Sequence, residues 1–216
     1  GSITGSSSQI VNYGSDGSAV TANPDSGYHF VDWSDSSTDN PRTDTNVTAD
    51  ITVTANFAIN TYEVTFKDWD DTTIKTETVN HGAGATAPVD PTRTGYTFIG
   101  WNPSDFTNIT ATTTVAALYT TNTYILAYLD YDGTPVQTST YDFNADLTGH
   151  IPPADPVRIG YTFTGWSPAI PVNMPANNVS TTAQYTTNTY TLTYTAGANG
   201  SITGSSSQIV NYGSDG

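Results

Sequence analysis

Carboxylates cluster in two short segments whose spacing resembles the start of a calcium-binding loop. One segment spans residues 68–71 and carries three Asp residues, and the other spans residues 130–133 and carries two. A calcium site needs about six or more oxygen ligands, including a bidentate Glu downstream. Glu77 lies too close to the first segment, and no Glu follows the second. The sequence therefore predicts a hairpin turn at each place, with Asp accepting local backbone hydrogen bonds.

A longer acidic loop in the first quarter of the chain is a further candidate for calcium. Its carboxylates belong to Asp32, Asp35, Asp39 and Asp44. Clustered carboxylate oxygens suit a hard cation such as calcium. We favour a loop that binds no metal, and calcium binding stays open as the alternative.

The other reactive side chains form no recognisable site. The histidines are scattered singly, without the spacing of metal ligands, and are interpreted as structural: His29, His81 and His150. An isopeptide bond between an Asn and either Lys67 or Lys75 is kept as a minor alternative. Nucleophile-elbow, phosphate-loop and dinucleotide-binding motifs do not occur. We therefore predict no catalytic, cofactor-binding or metal-binding residue, and we do not expect an enzyme.

Four Asn residues begin Asn-x-Ser/Thr sequons: Asn46, Asn108, Asn178 and Asn199. In a cell that glycosylates Asn, these would be loop sites on an exported protein. A chain rich in Asn and Thr also produces such sequons by chance, so their glycosylation stays open.

The composition narrows the classes of partner. Among the 216 residues, 20 are acidic and 5 are basic, which gives a net charge of −15 at pH 7. Nucleic acid and anionic lipid both need Lys and Arg to neutralise phosphate, so neither is an expected partner. Cys does not occur, which excludes disulfides and thiolate metal sites. No apolar run approaches the roughly 18 residues of a membrane span, so we expect no membrane insertion in this segment.

The elements that carry these residues are predicted to be strands. Thr and Tyr favour strands, while helix formers such as Leu, Glu and Lys are scarce, so the fold is expected to be mostly β. Residues 1–17 and 200–216 are identical, so the chain holds one period of 199 residues and the start of the next. Asn199-Gly200 is a hairpin-turn signal, and Gly200 is equivalent to Gly1. The chain is therefore expected to begin inside a hairpin.

The missing first strand of that hairpin is predicted at the other end of the chain. Within one chain, residues 189–199 are expected to form a hairpin with residues 200–216. On a neighbouring copy, residues 189–199 are expected to complete the sheet by pairing with the equivalent of residues 1–17. This contact would join copies head to tail into a fibre.

A motif Gly-Tyr-x-Phe-x-x-Trp marks three modules within each period, beginning at Gly27, Gly95 and Gly160. Its aromatic side chains are predicted to face a core, and a one-residue shift along the strand is predicted to place the Trp on the same face as the Phe. A surface on which sugars stack is the alternative interpretation of these aromatics. Trp69, beside an acidic turn, is expected to be more exposed. One short helix per module is also considered, in the irregular crossing segments such as residues 82–91 and 151–156. The predicted modules are 1–58, which lacks its first strand, 61–120 and 123–186, with 189–216 as the start of the next copy.

The second module resembles a known family. The residues that carry the likeness lie at 64–70, 79–82, 95–101 and 114–119, and they are similar to the internalin-type B repeat, also called the Listeria–Bacteroides repeat. The third module resembles a more divergent copy, and the first resembles the divergent branch of that repeat. The resemblance implies a β-grasp-like fold, no catalytic residues, and occurrence in surface proteins as spacers that are sometimes adhesive.

We therefore expect a linear array of small β-grasp-like modules in an extracellular stalk or filament at the cell surface. Joints such as residues 120–123 are too short to be free linkers, so each module would act as a rigid spacer. The expected partners are neighbouring repeats or further copies of the chain, head to tail. Multivalent adhesion to a glycan or protein on a host or neighbouring cell is the alternative. An appendage of an enzyme is a minor third interpretation.

Overall fold

The computed structural model describes all 216 residues as β-strands joined by turns and loops. A mostly β fold is thereby confirmed, and the short helices considered for the crossing segments are wrong, because those segments are irregular. No helix long and apolar enough to cross a membrane is found. The chain divides into two compact units, residues 1–91 with 98–119 and residues 92–97 with 120–216.

The first unit contains two small sheets and most of a four-stranded sheet. Its small sheets pair β1 with β2 and β3 with β4. The larger sheet has the order β6-β5-β8-β7, in which β5 is antiparallel to β6 and parallel to β8. The strands are β1 (Ser2–Thr4), β2 (Thr21–Asn23), β3 (Tyr28–Trp33), β4 (Ala55–Ile59), β5 (Thr61–Lys67), β6 (Thr73–Asn80), β7 (Tyr96–Asn102) and β8 (Thr113–Thr121).

The core of the four-stranded sheet follows from alternation along its central strand. Val64 and Phe66 on β5 are fully buried, while Glu63 between Tyr62 and Val64 points to solvent. The Phe66 ring packs edge-on against Trp101 with centroids 5.2 Å apart. Such aromatic pairs add about 0.5–1.5 kcal/mol beyond the burial of their area. Ile109, from an irregular loop, closes the same core.

The second unit repeats this arrangement. Its four-stranded sheet has the order β10-β9-β12-β11, with β9 parallel to β12. Leu126 and Tyr128 on the central strand are buried with Leu147 and Met174 from the loops. The strands of this unit are β9 (Thr123–Leu129), β10 (Pro135–Asp142), β11 (Tyr161–Ser167), β12 (Val179–Thr187), β13 (Thr189–Thr193) and β14 (Ser207–Asn211).

A β-bulge in the motif strand produces the predicted one-residue shift before Trp. In β3 the register shifts between Phe30 and Asp32, and in β11 it shifts between Phe163 and Gly165. Gly165 has a φ of +134°, which an L side chain rarely adopts. The bulge turns the Trp onto the same face as the Phe, because one extra residue reverses the alternation of a strand.

The hairpin predicted near the end of the chain is present. β13 and β14 pair antiparallel, from Thr189 opposite Asn211 to Thr193 opposite Ser207. This two-stranded sheet has no further neighbour. β13 therefore keeps one unpaired edge.

Candidate functional site

The two acidic segments form hairpin turns, as predicted. In the first, the Asp71 amide donates to the Asp68 carbonyl, and the Thr72 amide donates to Asp70 Oδ1 at 3.1 Å. In the second, the Gly133 amide donates to the Asp130 carbonyl. These turns use their carboxylates to satisfy backbone N–H groups, which is the ordinary role of Asp in a turn.

A Tyr hydroxyl fastens each of these turns to the sheet. Tyr119 donates to Asp68 Oδ1 at 2.7 Å, and Tyr185 donates to Asp130 Oδ1 at 2.7 Å. Burial, and then the hydrogen bond to Asp130, raise the pKa of Tyr185 to about 12. The equivalent bonds in the two modules show that the turn and the end of the last strand act as one structural element.

The longer acidic loop is organised around a guanidinium. Arg42 is only 7% exposed, and it pairs with Asp35 at 2.8 Å and with Asp44 at 2.6 Å. The hydrogen bond to Arg42 is the largest cause of the lowered pKa of Asp35. Asp32 instead accepts from the Asn56 side chain, so the four carboxylates do not converge. No group of three or more His, Cys, Asp or Glu residues is placed to hold a metal ion.

The histidines have three different structural settings. His29 Nδ1 lies 2.8 Å from Asn60 Oδ1. His150 stacks on Tyr128 and shares a hydrogen bond of 2.7 Å with the Tyr141 hydroxyl. His81 packs against Gly27. The interpretation of these residues as structural agrees with these contacts.

The lysines considered for an isopeptide bond lie beside carboxylates. Lys75 Nζ is 2.8 Å from Glu77 Oε2, and Lys67 Nζ is 4.0 Å from Asp71 Oδ1. Of the sequon residues, Asn178 accepts a hydrogen bond from the Ile125 amide through its side chain. Asn46 and Asn199 both have positive φ values, 47° and 65°, and lie in turns or loops.

The Trp and Phe of the motif pack in cores, as predicted, but the prediction is wrong for its Tyr, since Tyr28 is 45% exposed. Trp33 is 3% exposed and Trp101 is 9% exposed, while Trp166 is half-buried. Phe163 packs edge-on against Trp166 at 5.4 Å between centroids. Trp69 is 54% exposed, in agreement with its predicted place at the edge of a turn.

A recurring joint links the end of one module to the hairpin of the next. In the first unit, the Asn60 amide donates to the Gly27 carbonyl, and the His81 amide donates to the Asn60 carbonyl, both at 2.8 Å. A single Asn thus ties the motif glycine to the residue that follows the hairpin. We use the word joint for each such set of three residues: the motif glycine, the linking Asn and the residue whose ring packs on the glycine.

The second unit contains the same joint twice. Its members are Gly95, Asn122 and Phe143 in one case and Gly160, Asn188 and Tyr212 in the other, with backbone hydrogen bonds of 2.8–2.9 Å. Thr97 and Thr162 each donate a side-chain hydrogen bond of 2.6 Å to the Asn of their joint. The hydrogen bonds and the ring contact recur although the ring belongs to His, Phe or Tyr.

Close packing of the ring requires the glycine. The three motif glycines have φ values of +79°, +80° and +79°. A Cβ on any of them would overlap the ring of its joint.

Beside Gly95, Tyr96 also lies under the Arg93 guanidinium, 3.7 Å from it. Beside Gly160, Tyr161 lies under Arg158 in the same way, also at 3.7 Å.

The sequence predicted a short joint at residues 120–123, which contains Asn122, but it did not predict the ring that packs on the glycine of each joint. One signal was available, since each ring follows directly on the second strand of a hairpin: Asn80-His81, Asp142-Phe143 and Asn211-Tyr212. Because the three ring residues differ in type, they do not stand out as a repeat.

These features define a tandem array of small all-β modules linked by a conserved type of joint within the chain. Family comparison agrees: the divergent InlB B-repeat domain matches residues 1–61, and the Listeria-Bacteroides repeat domain matches residues 62–127 and 124–189. The chain belongs to the Listeria–Bacteroides repeat family, so the resemblance drawn from the sequence is confirmed.

Similar proteins include one from Listeria monocytogenes and one from Evansella cellulosilytica. Internalin H of the former is 39% identical over 85 residues, covering 38% of this chain and 15% of the relative. A putative membrane protein of the latter is 26% identical over 129 residues, covering 56% of this chain and 19% of the relative. The chain thus spans less than a fifth of either relative. The solved structure titled Crystal structure of Mub-RV matches 60% of this chain and all of its own, at 15% identity and a TM-score of 0.19.

Proposed function

We propose that this chain is a non-catalytic structural segment of a cell-surface protein, in which the modules act as spacers. The joint is the observation that carries the proposal. Two backbone hydrogen bonds and a ring on a glycine leave the linking Asn little conformational freedom. A flexible Gly/Ser linker would make no such contacts. The occurrence of related repeats in an internalin and a putative membrane protein supports a place at the cell surface.

We further propose that the complete modules are β-grasp-like and that the segment is extracellular. A β-grasp sheet has two hairpins whose central strands run parallel, and the order β6-β5-β8-β7 with β5 parallel to β8 supports this classification. An irregular crossing takes the place of the usual helix, and it contributes Ala85 to the core. A net charge of −15 suits an exposed surface that keeps neighbouring chains apart.

The spacer function is tested by changing the number of periods. One, two and three tandem copies of the 199-residue period, displayed on a bacterial surface with a terminal epitope tag, are compared by atomic force microscopy. A spacer predicts that the height of the tag rises by an equal increment with each copy. A height that does not rise with copy number would exclude the spacer.

Adhesion is the second candidate, favoured by an aromatic that recurs at the tip of equivalent hairpins. Trp69 is 54% exposed, and Tyr131 is 52% exposed with the Arg158 guanidinium 3.9 Å from the centre of its ring on one face. Exposed rings can stack on sugars, and repetition would raise a weak affinity by multivalency. A glycan array with the intact chain and with Trp69→Ala and Tyr131→Ala tests this candidate. Binding that both substitutions weaken supports adhesion. Absence of binding to any glycan favours the spacer function instead.

A further inference from the structure

Arg158 lies at the centre of a stack of aromatic rings in the second unit. Its guanidinium carbon is 3.9 Å from the centre of the Tyr131 ring and 3.7 Å from the centre of the Tyr161 ring. One face of a guanidinium has room for one ring at such a distance, so the two rings cover opposite faces. The centre of the Tyr185 ring lies further away, at 5.6 Å. The stack therefore fixes the plane of the guanidinium.

A turn of the backbone holds Arg158 in this place. The Tyr161 amide donates to the Arg158 carbonyl at 3.1 Å, and Gly160 between them has a φ of +79°. The same turn recurs one module earlier, where the Tyr96 amide donates to the Arg93 carbonyl at 3.0 Å and the guanidinium lies 3.7 Å from the Tyr96 ring. The position of Arg158 is thus set by a turn that two modules share.

The hydrogen-bonding edges of the Arg158 guanidinium have no partner within the chain. Its side chain donates no hydrogen bond and forms no ion pair, although 20 residues are acidic. Asp130 in the adjoining turn accepts instead from the Tyr131 amide at 2.8 Å and from the Tyr185 hydroxyl at 2.7 Å. Arg42, by contrast, pairs with two carboxylates. A guanidinium carries five N–H donors, and those of Arg158 are available to a ligand.

The arrangement suits a carboxylate that approaches in the plane of the guanidinium. An Arg donates two parallel hydrogen bonds to a carboxylate, which a Lys cannot do. Because two rings already hold the guanidinium, less conformational entropy is lost on binding. Tyr131 is 52% exposed and offers an apolar ring with a polar tip beside the same edge. The net charge of −15 disfavours long polyanions, so a ligand with one carboxylate fits best.

We propose that Arg158 and Tyr131 bind an acidic sugar, such as a uronic acid at the end of a glycan chain. The guanidinium edge binds the carboxylate, and the Tyr131 ring contacts the sugar ring. The first module has Asp25 at the position of Arg158, two residues before its motif glycine, so it lacks this cation. The inference names the ligand class of the second candidate function, adhesion, and rests on it. The spacer function stands without it.

Titration of the intact chain with two matched sugars tests the chemistry of the site. Methyl glucuronide and methyl glucoside share a ring, but only the first has a carboxylate. We expect the glucuronide to bind roughly 10-fold or more tightly, because hydrogen bonds between charged groups are stronger than neutral ones. Amide signals in NMR spectra should shift most at residues 131 and 158–161. Equal affinity for the two sugars, or shifts confined to other residues, would overturn the proposal.

Substitution of the cation tests its role in binding. Arg158→Gln should abolish the preference for the glucuronide, while Lys67→Gln removes an equal charge from another module and should leave the preference intact. Arg158→Lys should recover only part of the loss, because an ammonium is a point charge without the fork. A preference that survives Arg158→Gln would refute the proposal. The comparison of sugars on the wild-type chain does not depend on the folding of any variant.

Substitution of the exposed ring tests whether stacking prepares the guanidinium. Tyr131→Phe keeps the ring and should bind the glucuronide as the wild type does. Tyr131→Leu removes the ring and should weaken binding roughly 2- to 5-fold, in line with the strength of an exposed cation–π contact. Equal affinities of the two variants would show that the ring has no part in the site.

A peptide separates the two sources of a carboxylate. A tripeptide with a central Glu and blocked ends is titrated in the same way, and we expect it to bind more weakly than the glucuronide because it lacks the sugar ring. Binding of the peptide with equal affinity would overturn the assignment to a sugar. Binding of the neutral glucoside alone would overturn this inference and leave adhesion as a candidate. Absence of binding by all three probes would exclude both at this site.

Discussion

Gly95 lies directly under the ring of Phe143, with a φ of +80° and no room for a Cβ. The same relationship holds between Gly27 and His81 and between Gly160 and Tyr212. Three rings of different chemistry pack on glycine in the same way, so the contact depends on shape. A backbone without a side chain lets a flat ring approach closely.

Gly95→Ala is expected to destabilise the protein more than an alanine at another positive-φ glycine. Alanine in this conformation costs about 1–2 kcal/mol, and overlap with the Phe143 ring adds about 1–3 kcal/mol. Gly133→Ala is the matched control, because Gly133 has a φ of +86° and open space around it. Urea unfolding of the two variants measures the difference. Equal losses of stability would mean that the ring contact adds nothing.

Tyr185 should make the protein sensitive to alkali. Its pKa is raised to about 12 in the folded chain, above the ordinary value of 10.0, so folding favours the protonated phenol. That contribution is fully present below pH 10 and is lost as the pH rises towards 12. Tyr185→Phe removes the ionisable group and should flatten the fall in stability across this interval.

Thermal unfolding at a series of pH values between 9 and 12 measures this effect. Tyr190→Phe, at a half-exposed Tyr on β13, is the control and should behave like the wild type. The assignment to Tyr185 is wrong if both variants lose stability along the wild-type curve.

Calcium should leave the first unit unchanged, because Arg42 already occupies the acidic loop. Its guanidinium binds Asp35 and Asp44, and a divalent cation would have to displace it. We expect the melting temperature to be the same in millimolar calcium and in chelator. A melting temperature that is higher in calcium than in chelator would support calcium binding, the alternative that the sequence left open.

Arg42→Gln should destabilise the loop by about 1–2 kcal/mol, since hydrogen bonds to charged groups contribute more than neutral ones. Arg42→Lys is expected to recover only part of the loss, because Lys lacks the planar fork that contacts two carboxylates. Denaturant unfolding compares the three chains. Full recovery by Lys would show that charge alone is sufficient.

Much of the sheet was predictable because strand alternation is a local pattern. The one-residue shift before the motif Trp was predicted from the spacing of the aromatic residues, and β3 and β11 each have a register shift there. The end hairpin was predicted from Asn199-Gly200 and from the exact repeat. In each case the signal and the structure it produces involve neighbouring residues.

Residues in irregular loops escaped prediction because they show no periodicity. Ile109 and Met174 are buried in the two cores, yet neither lies in a strand. The joint rings escaped for a second reason. Phe143 meets a glycine 48 positions earlier in the chain, and only the folded sheet brings the two together. Likewise, the Asp residues beside Arg42 resemble a metal site until the guanidinium is placed between them.

Distance measurement across the first joint tests the rigid-spacer account most directly. Spin labels at Val31→Cys and Ile99→Cys occupy equivalent exposed strand positions of two successive modules inside the first unit. Double electron–electron resonance should give one narrow distance distribution, and Gly27→Ala should broaden it, because His81 can no longer pack on the joint. A broad distribution in the unsubstituted joint would contradict the account, since the modules would then be connected by a flexible linker.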